Sequence, residues 1–235
     1  EYTAPDAVAE LRSSWFRVPQ EMDDQKYADR VRFIRRTMWK EPEHITSYTI
    51  FTTTDCNARC FYCYEMGRSR IPMSDETAHK AAAYMAAHCG GEKVRLHWFG
   101  GEPLYNQRVI DIICTDLTEK GIVYESMMIS NGYLFDDETV RQAVALWKLK
   151  QVQITLDGTE EIYNRSKAFI YKDGKSPYQI VTANIRRLLD AGIAVHIRLN
   201  MDEHNADNLM ELADELHERF GGKGKFSVYS HTLFE

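Results

Sequence analysis

The stretch Tyr48-Thr49-Ile50-Phe51-Thr52-Thr53-Thr54-Asp55-Cys56-Asn57-Ala58-Arg59-Cys60-Phe61-Tyr62-Cys63-Tyr64-Glu65 decides how this chain is read. Its first six residues are β-branched or aromatic, a strand composition. Three cysteines follow, four and then three positions apart. Cysteine thiolates hold iron–sulfur clusters, and a four-iron cluster has one iron more than this loop has thiols. An iron without a protein ligand can bind a second molecule, and such an open position separates a catalytic metal centre from a sealed one.

Zinc is the main competing reading. Zinc spacing usually pairs two ligand clusters, with a second Cys or His pair downstream. Here Cys89 and Cys114 stand alone, each in a helical pattern where a buried cysteine behaves as a small apolar residue, and no two histidines lie at ligand spacing. Disulfides fit poorly: five cysteines cannot all pair, and the chain lacks the character of a small stapled domain. A non-catalytic iron–sulfur protein is a third reading. It requires a fourth protein ligand, for which the sequence offers no obvious candidate.

The chain has 235 residues, 44% of them hydrophobic, enough for one full core, and one domain of α/β type is the default at this length. A formal charge of −6 argues against a general nucleic-acid binder. No apolar run reaches membrane-spanning length and no secretory signal opens the sequence, so no membrane partner is expected. Reduced thiols suit the cytoplasm. A first residue of Glu1 rather than Met is what a trimmed chain or an excised domain would show.

From Ser47 onward, strand-like runs alternate with helical patterns. The strands are expected at 47–53, 93–99, 125–130, 151–156, 194–200 and 225–230. Ser74 can cap a helix carrying Ala78, Ala82, Met85 and Ala86. Val109, Ile110, Ile113 and Leu117 form one apolar face before Gly121. Val140, Ala143, Val144 and Trp147 form another. Ile185, Leu188 and Leu189 precede Gly192, and Leu209, Leu212, Ala213, Leu216 and Phe220 run to Gly221-Gly222. Six strands alternating with helices predict a parallel α/β sheet with right-handed crossovers, either a partial (β/α)6 barrel or an open doubly wound sheet. Residues 1–46 stand outside the repeat as an N-terminal helical extension. Tyr27, Val31, Ile34 and Met38 share a face there, and Arg30, Arg32, Arg35, Arg36 and Lys40 surround it. Residues 47–235 form the repeat region, which stops just after the sixth strand.

Parallel α/β folds bind ligands at the carboxyl ends of their strands, and unusual residues collect there. Gly100-Gly101-Glu102-Pro103 follows the second strand: the glycines permit close backbone approach or positive φ, and Glu102 can accept hydrogen bonds from an ammonium group. Ser130-Asn131-Gly132 follows the third strand, with a hydroxyl and an amide able to bind a ribose or a carboxylate, or simply to make a turn. Thr155-Leu156-Asp157-Gly158 follows the fourth, where Asp157 either caps the next turn or contacts a ligand. On the fifth, Arg198 and Asn200 share one face. Arg198 needs an anionic partner, a ligand carboxylate or a protein carboxylate.

The cysteine loop, the aromatic Tyr62 between its second and third thiols, and Gly-Gly-Glu about 40 residues on, one βα unit later, together resemble the radical SAM (S-adenosylmethionine) superfamily. The resemblance spans about residues 47–230 and implies a partial (β/α)6 barrel. It implies that Cys56, Cys60 and Cys63 ligate a [4Fe–4S] cluster. It further implies that Gly100, Gly101 and Glu102 hold the SAM amino group, that Ser130, Asn131 and Thr155 contact SAM, that Tyr62 lies near the adenine, and that Arg198 is a candidate for the SAM carboxylate. The implied reaction is reductive cleavage of SAM to a 5′-deoxyadenosyl radical that abstracts hydrogen from a substrate. An electron donor such as flavodoxin or ferredoxin is implied with it. Cys-Tyr-Glu after the cluster motif and Gly-Gly-Glu-Pro-Leu look most like the peptide- and protein-modifying branch, whose members often carry a C-terminal SPASM or twitch cluster domain. No such segment lies within these residues. That branch often has His-Asp-x-x-Arg after the fourth strand. Here the chain reads Tyr163-Asn164-Arg165-Ser166-Lys167, so no role is assigned to Arg165 or Lys167.

Overall fold

The computed structural model describes residues 23–38, 44–202 and 205–232. The chain divides into two compact units, Glu1–Glu43 and His44–Glu235. In the first, helix α1 spans Asp24–Met38, the helix expected there. The side chains of Arg36 and Met38, and all of Lys40, lie outside the described residues.

The second unit alternates as its periodicity predicts: β1 (Ser47–Phe51), α2 (Asp75–His88), β2 (Val94–Phe99), α3 (Gln107–Glu119), β3 (Tyr124–Ser130), α4 (Asp137–Ala145), β4 (Leu149–Thr155), α5 (Glu160–Lys167), α6 (Pro177–Asp190), β5 (Ala194–Met201), α7 (Ala206–Phe220) and β6 (Phe226–Thr232). The strands form one parallel sheet in the order β1-β2-β3-β4-β5-β6, with β1 and β6 as its edges. The sheet is open, a partial barrel rather than a doubly wound sheet, because strand order follows chain order without a switch point.

Strand alternation sorts the residues between the two faces. Leu96, Trp98, Met128, Val152, Ile154, Val195 and Ile197 are fully buried and meet the helical stripes Val109-Ile110-Ile113-Leu117, Val181-Ile185-Leu188 and Leu209-Leu212-Leu216. The other face places Phe51, Phe99, Ile129, Gln153, His196 and Ser227 in one cross-strand row. Both faces of an ordinary parallel sheet are apolar. Here the row turns polar from β4 onward, so only the helix-facing side builds core.

The helix ends follow local chemistry. Ser74 accepts from the Thr77 N–H and Asp136 from the Thr139 N–H, each satisfying an orphan donor of a first turn. Gly121 and Gly192 take positive φ just past α3 and α6. Two expectations need correction. Trp147 lies beyond the end of α4 and Val144 is exposed. Trp147 is nonetheless buried in the core, and its indole N–H is satisfied by Asp111 at 2.7 Å. The short helix α5, which the sequence pattern did not suggest, closes with Ala168 in the left-handed region.

Candidate functional site

The cysteine loop leaves β1 and returns beside it. Thr53 bridges Pro72, the Thr54 N–H donates to Ile71 O, and the Met73 N–H donates to Thr52 O. The excursion is thus tied at its base, and its three cysteines are free thiols. Gly100-Gly101 packs against that base. The Gly101 N–H donates to Thr53 O and the Glu102 N–H to Asp55 O. A Cβ at Gly100 would collide with the Thr53 carbonyl oxygen, and Gly100 also has φ +136°. A Cβ at Gly101 would meet the Asp55 carbonyl oxygen. Glycine is required because two loops approach backbone to backbone; the close approach is to the cysteine loop itself.

These loops enclose a cavity of about 590 Å³ at the carboxyl end of the sheet. Cys56, Cys60, Tyr62 and Cys63 line one side of it. Gly100 and Gly101 lie along it, with Ser130, Asn131 and Thr155 from the next two strand ends. Nine residues singled out from sequence therefore meet at one place. Burial pushes the Cys56 thiol up to about 12, helped by the Glu102 carboxylate, and burial raises Cys60 as well. Thiols held this way bind metal by exchanging a proton for it. Among the described residues, no three His, Cys, Asp or Glu side chains converge as ligands of a single ion. The three free thiols share the lining of one cavity, and a multi-iron cluster takes its cysteines on different irons. That donor set, with the polar strand ends beside it, fits a [4Fe–4S] cluster and a SAM-sized ligand.

Two assigned residues sit elsewhere than the sequence suggests. Glu102 does not line the cavity; it is fully buried. One of its oxygens accepts from the Leu104 N–H at 3.1 Å and from Ser130 Oγ at 2.9 Å, and the other accepts from the Asn131 N–H at 2.8 Å. The carboxylate therefore braces the ends of β2 and β3. The brace continues, since Asn131 Nδ2 donates to Asn57 Oδ1 at 2.6 Å and approaches Cys56 Sγ at 3.8 Å. Arg198 lies outside the cavity lining and donates to Asn200 Oδ1 at 2.9 Å. It makes no ion pair among the described residues.

Burial raises Glu102 to about 7, against the pull of its backbone and hydroxyl donors. Its ordinary value is 4.5. Between those values the folded chain holds a proton that the unfolded chain has released. This group's contribution to stability is therefore complete below the lower value and is lost as pH rises through about 7, by up to about 3 kcal/mol. Urea unfolding at pH 5 and pH 7.5 should show that loss, and Glu102→Gln should flatten the difference. An unchanged pH slope in that variant would assign the effect to another group.

Residues that sequence reasoning missed also converge here. Asp157 neither caps a turn nor lines the cavity; it pairs with Lys167 at 2.9 Å, both side chains being almost fully buried. Lys167 lines the cavity. Asn57, to which the sequence assigns no role, accepts from Asn131 and donates to the Tyr171 hydroxyl at 3.4 Å.

The open parallel α/β sheet gathers three free thiols with glycine and polar strand ends at its ligand end. A family model described as the Radical SAM superfamily matches residues 50–216, and the chain belongs to that superfamily. Its members use a [4Fe–4S] cluster and SAM. The chain is 27% identical over 180 residues to a probable GTP 3',8-cyclase of Archaeoglobus fulgidus, covering 72% of this chain and 55% of that one. It is 24% identical over 171 residues to the sporulation killing factor maturation protein SkfB of Bacillus subtilis, covering 72% of this chain and 39% of that one. The fold is similar to that of anSMEcpe with bound AdoMet, with a TM-score of 0.65 at 17% identity, covering 79% of this chain and 51% of the other. The chain thus spans about half or less of the proteins it is matched with. Among the described residues, no helix is long and apolar enough to cross a membrane.

Proposed function

We propose that Cys56, Cys60 and Cys63 hold a [4Fe–4S] cluster and that Gly100, Gly101, Ser130, Asn131 and Thr155 position SAM beside it. One observation carries this reading: the three free thiols and the polar or glycine positions of three further strand ends share a single cavity. When bound, the cluster and SAM supply one-electron reduction and a carbon-centred radical able to take a hydrogen atom from a substrate. The residues of the chain bind and orient. Main-chain groups of Gly100-Gly101 face the cavity where Glu102 does not, so they are the better candidates for the SAM amino group. Glu102 acts behind them as a positioning residue, fixing Ser130 and Asn131. Tyr62 shields the thiols on the side of β4. Arg198, which makes no ion pair among the described residues, is a candidate for an anionic group of SAM or of substrate.

The substrate we favour is a peptide or protein segment, fed one electron per turnover by a small redox protein. Cys-Tyr-Glu, Gly-Gly-Glu-Pro-Leu and the likeness to SkfB support this, and so do the exposed Phe61, Tyr64 and Met66 on the cysteine loop, an apolar rim that a peptide could cover. The likeness to GTP 3',8-cyclases supports a second reading, a small-molecule substrate. Residues 47–235 act as the catalytic core in either case. The test is anaerobic turnover of the reconstituted, reduced chain with SAM. Release of 5′-deoxyadenosine is expected, and its absence would overturn the reading. A peptide that incorporates label exchange from deuterated positions into 5′-deoxyadenosine supports the first substrate class; transfer from GTP supports the second.

A further inference from the structure

Lys167 is the most deeply buried cation beside the cysteine loop, and nothing in the reading above uses it. Its Nζ donates to the Tyr62 hydroxyl at 2.6 Å and lies 2.9 Å from Asp157 Oδ2. The Tyr62 hydroxyl donates to that same oxygen at 2.5 Å. The other oxygen, Asp157 Oδ1, is buried without a hydrogen-bond partner. A buried carboxylate that lacks half its hydrogen bonds depends on its one cation, and an unpaired buried charge of either sign is costly. The main chain joins in: the Arg59 N–H donates to Lys167 O at 2.8 Å, and the Ile170 N–H donates to Asn57 O at 3.0 Å. The end of α5 is therefore stitched to the cysteine loop at Asn57, Arg59 and Tyr62, between and beside the thiols.

Lys167 lines the cavity together with the three thiols and Asp157 does not, so the cation is the charge presented to them. Burial is the largest influence on Lys167 and opposes its charge; Asp157, at 2.9 Å, is the chief of the groups that together keep the ammonium protonated. In a site shielded from water, such a fixed charge acts at several ångströms with little screening.

We propose that Lys167 is a positioning residue that anchors the cysteine loop to the end of β4 and sets a positive charge against Cys60, raising the reduction potential of the cluster bound there. The inference rests on the cluster reading of the proposed function. Reduction adds one electron to the cluster from an external donor and neither makes nor breaks a bond, so a nearby cation favours the reduced state. Asp157 acts oppositely, restraining that cation while orienting it. The sequence could not show this role, because the residue that Lys167 touches, Tyr62, lies 105 positions away.

The experiment is an EPR-monitored redox titration of the reconstituted full chain, with dithionite as reductant, on wild type, Lys167→Met, Asp157→Asn and Lys167→Arg. Wild type must first hold a four-iron cluster; if it does not, the cluster reading fails and not this inference. Given the cluster, Lys167→Met should move the potential to more negative values, Asp157→Asn to more positive values, and Lys167→Arg should return it toward wild type. Opposite shifts identify the charge, since a merely structural brace would lower iron content in both variants without separating their potentials. Should Lys167→Met fail to retain iron, Asp157→Asn decides alone. A potential in that variant that is unmoved or more negative would overturn the proposal, as would shifts of one sign in both.

Discussion

Cys60→Ala is expected to abolish release of 5′-deoxyadenosine from SAM. Cys60 lies mid-loop, with Cys56 and Cys63 on either side, and all three line the same cavity wall. Iron–sulfur clusters are held by their cysteine thiolates, so loss of one of three leaves two irons exposed and the cluster labile. Alanine is smaller than cysteine and removes little packing, because Cys60 is only partly buried. The variant should therefore fold, with an unfolding midpoint near that of the wild type, and contain far less iron. Iron determination after anaerobic reconstitution and chromatography of the SAM products check both halves. Equal turnover in Cys60→Ala would remove the mechanism altogether.

Glu102→Ala carries the second large effect, for a reason the sequence did not supply. The carboxylate is surrounded by the N–H groups of Leu104 and Asn131 and the hydroxyl of Ser130. Alanine would leave these donors buried without an acceptor and open a void, a combination costing about 2–5 kcal/mol. The loss should appear as a lower urea midpoint. SAM affinity should also fall about tenfold or more, corresponding to about 1.4 kcal/mol, because Ser130 and Asn131 lose their support. Iron content should change less than in Cys60→Ala, since the thiols keep their own loop. If stability falls while SAM binding is unaltered, Glu102 is structural only and does not position the cofactor pocket.

These two residues mark where sequence legibility ends. The cysteines were readable because a metal motif is local: ligand type and spacing travel together along the chain. The strands and most helices were readable for the same reason, since periodicity reports which face is buried. Glu102 was singled out, but its bracing role was not. Sequence places it at a strand end, but whether its side chain turns toward the ligand or back under the loop depends on Ser130 and Asn131, about one βα unit further on. Lys167 and Asp157 were harder still. Each is an ordinary charged residue of a kind usually exposed, and only the fold brings them to one buried point beside Tyr62. Trp147 shows the same limit in the core: its position suggested a helical stripe, but it packs into the core from beyond the helix end, with its indole N–H donating to Asp111 on α3. The polar half of the inner sheet face, including Gln153, His196 and Ser227, became visible only through strand register.

The most direct measurement is the iron content and EPR spectrum of the anaerobically reconstituted chain, reduced, before and after SAM is added. About four irons per chain are expected, with a spectrum that changes when SAM binds the iron that no cysteine reaches. A single metal ion per chain, or a four-iron signal indifferent to SAM, would contradict the assignment of Cys56, Cys60 and Cys63 to an open cluster.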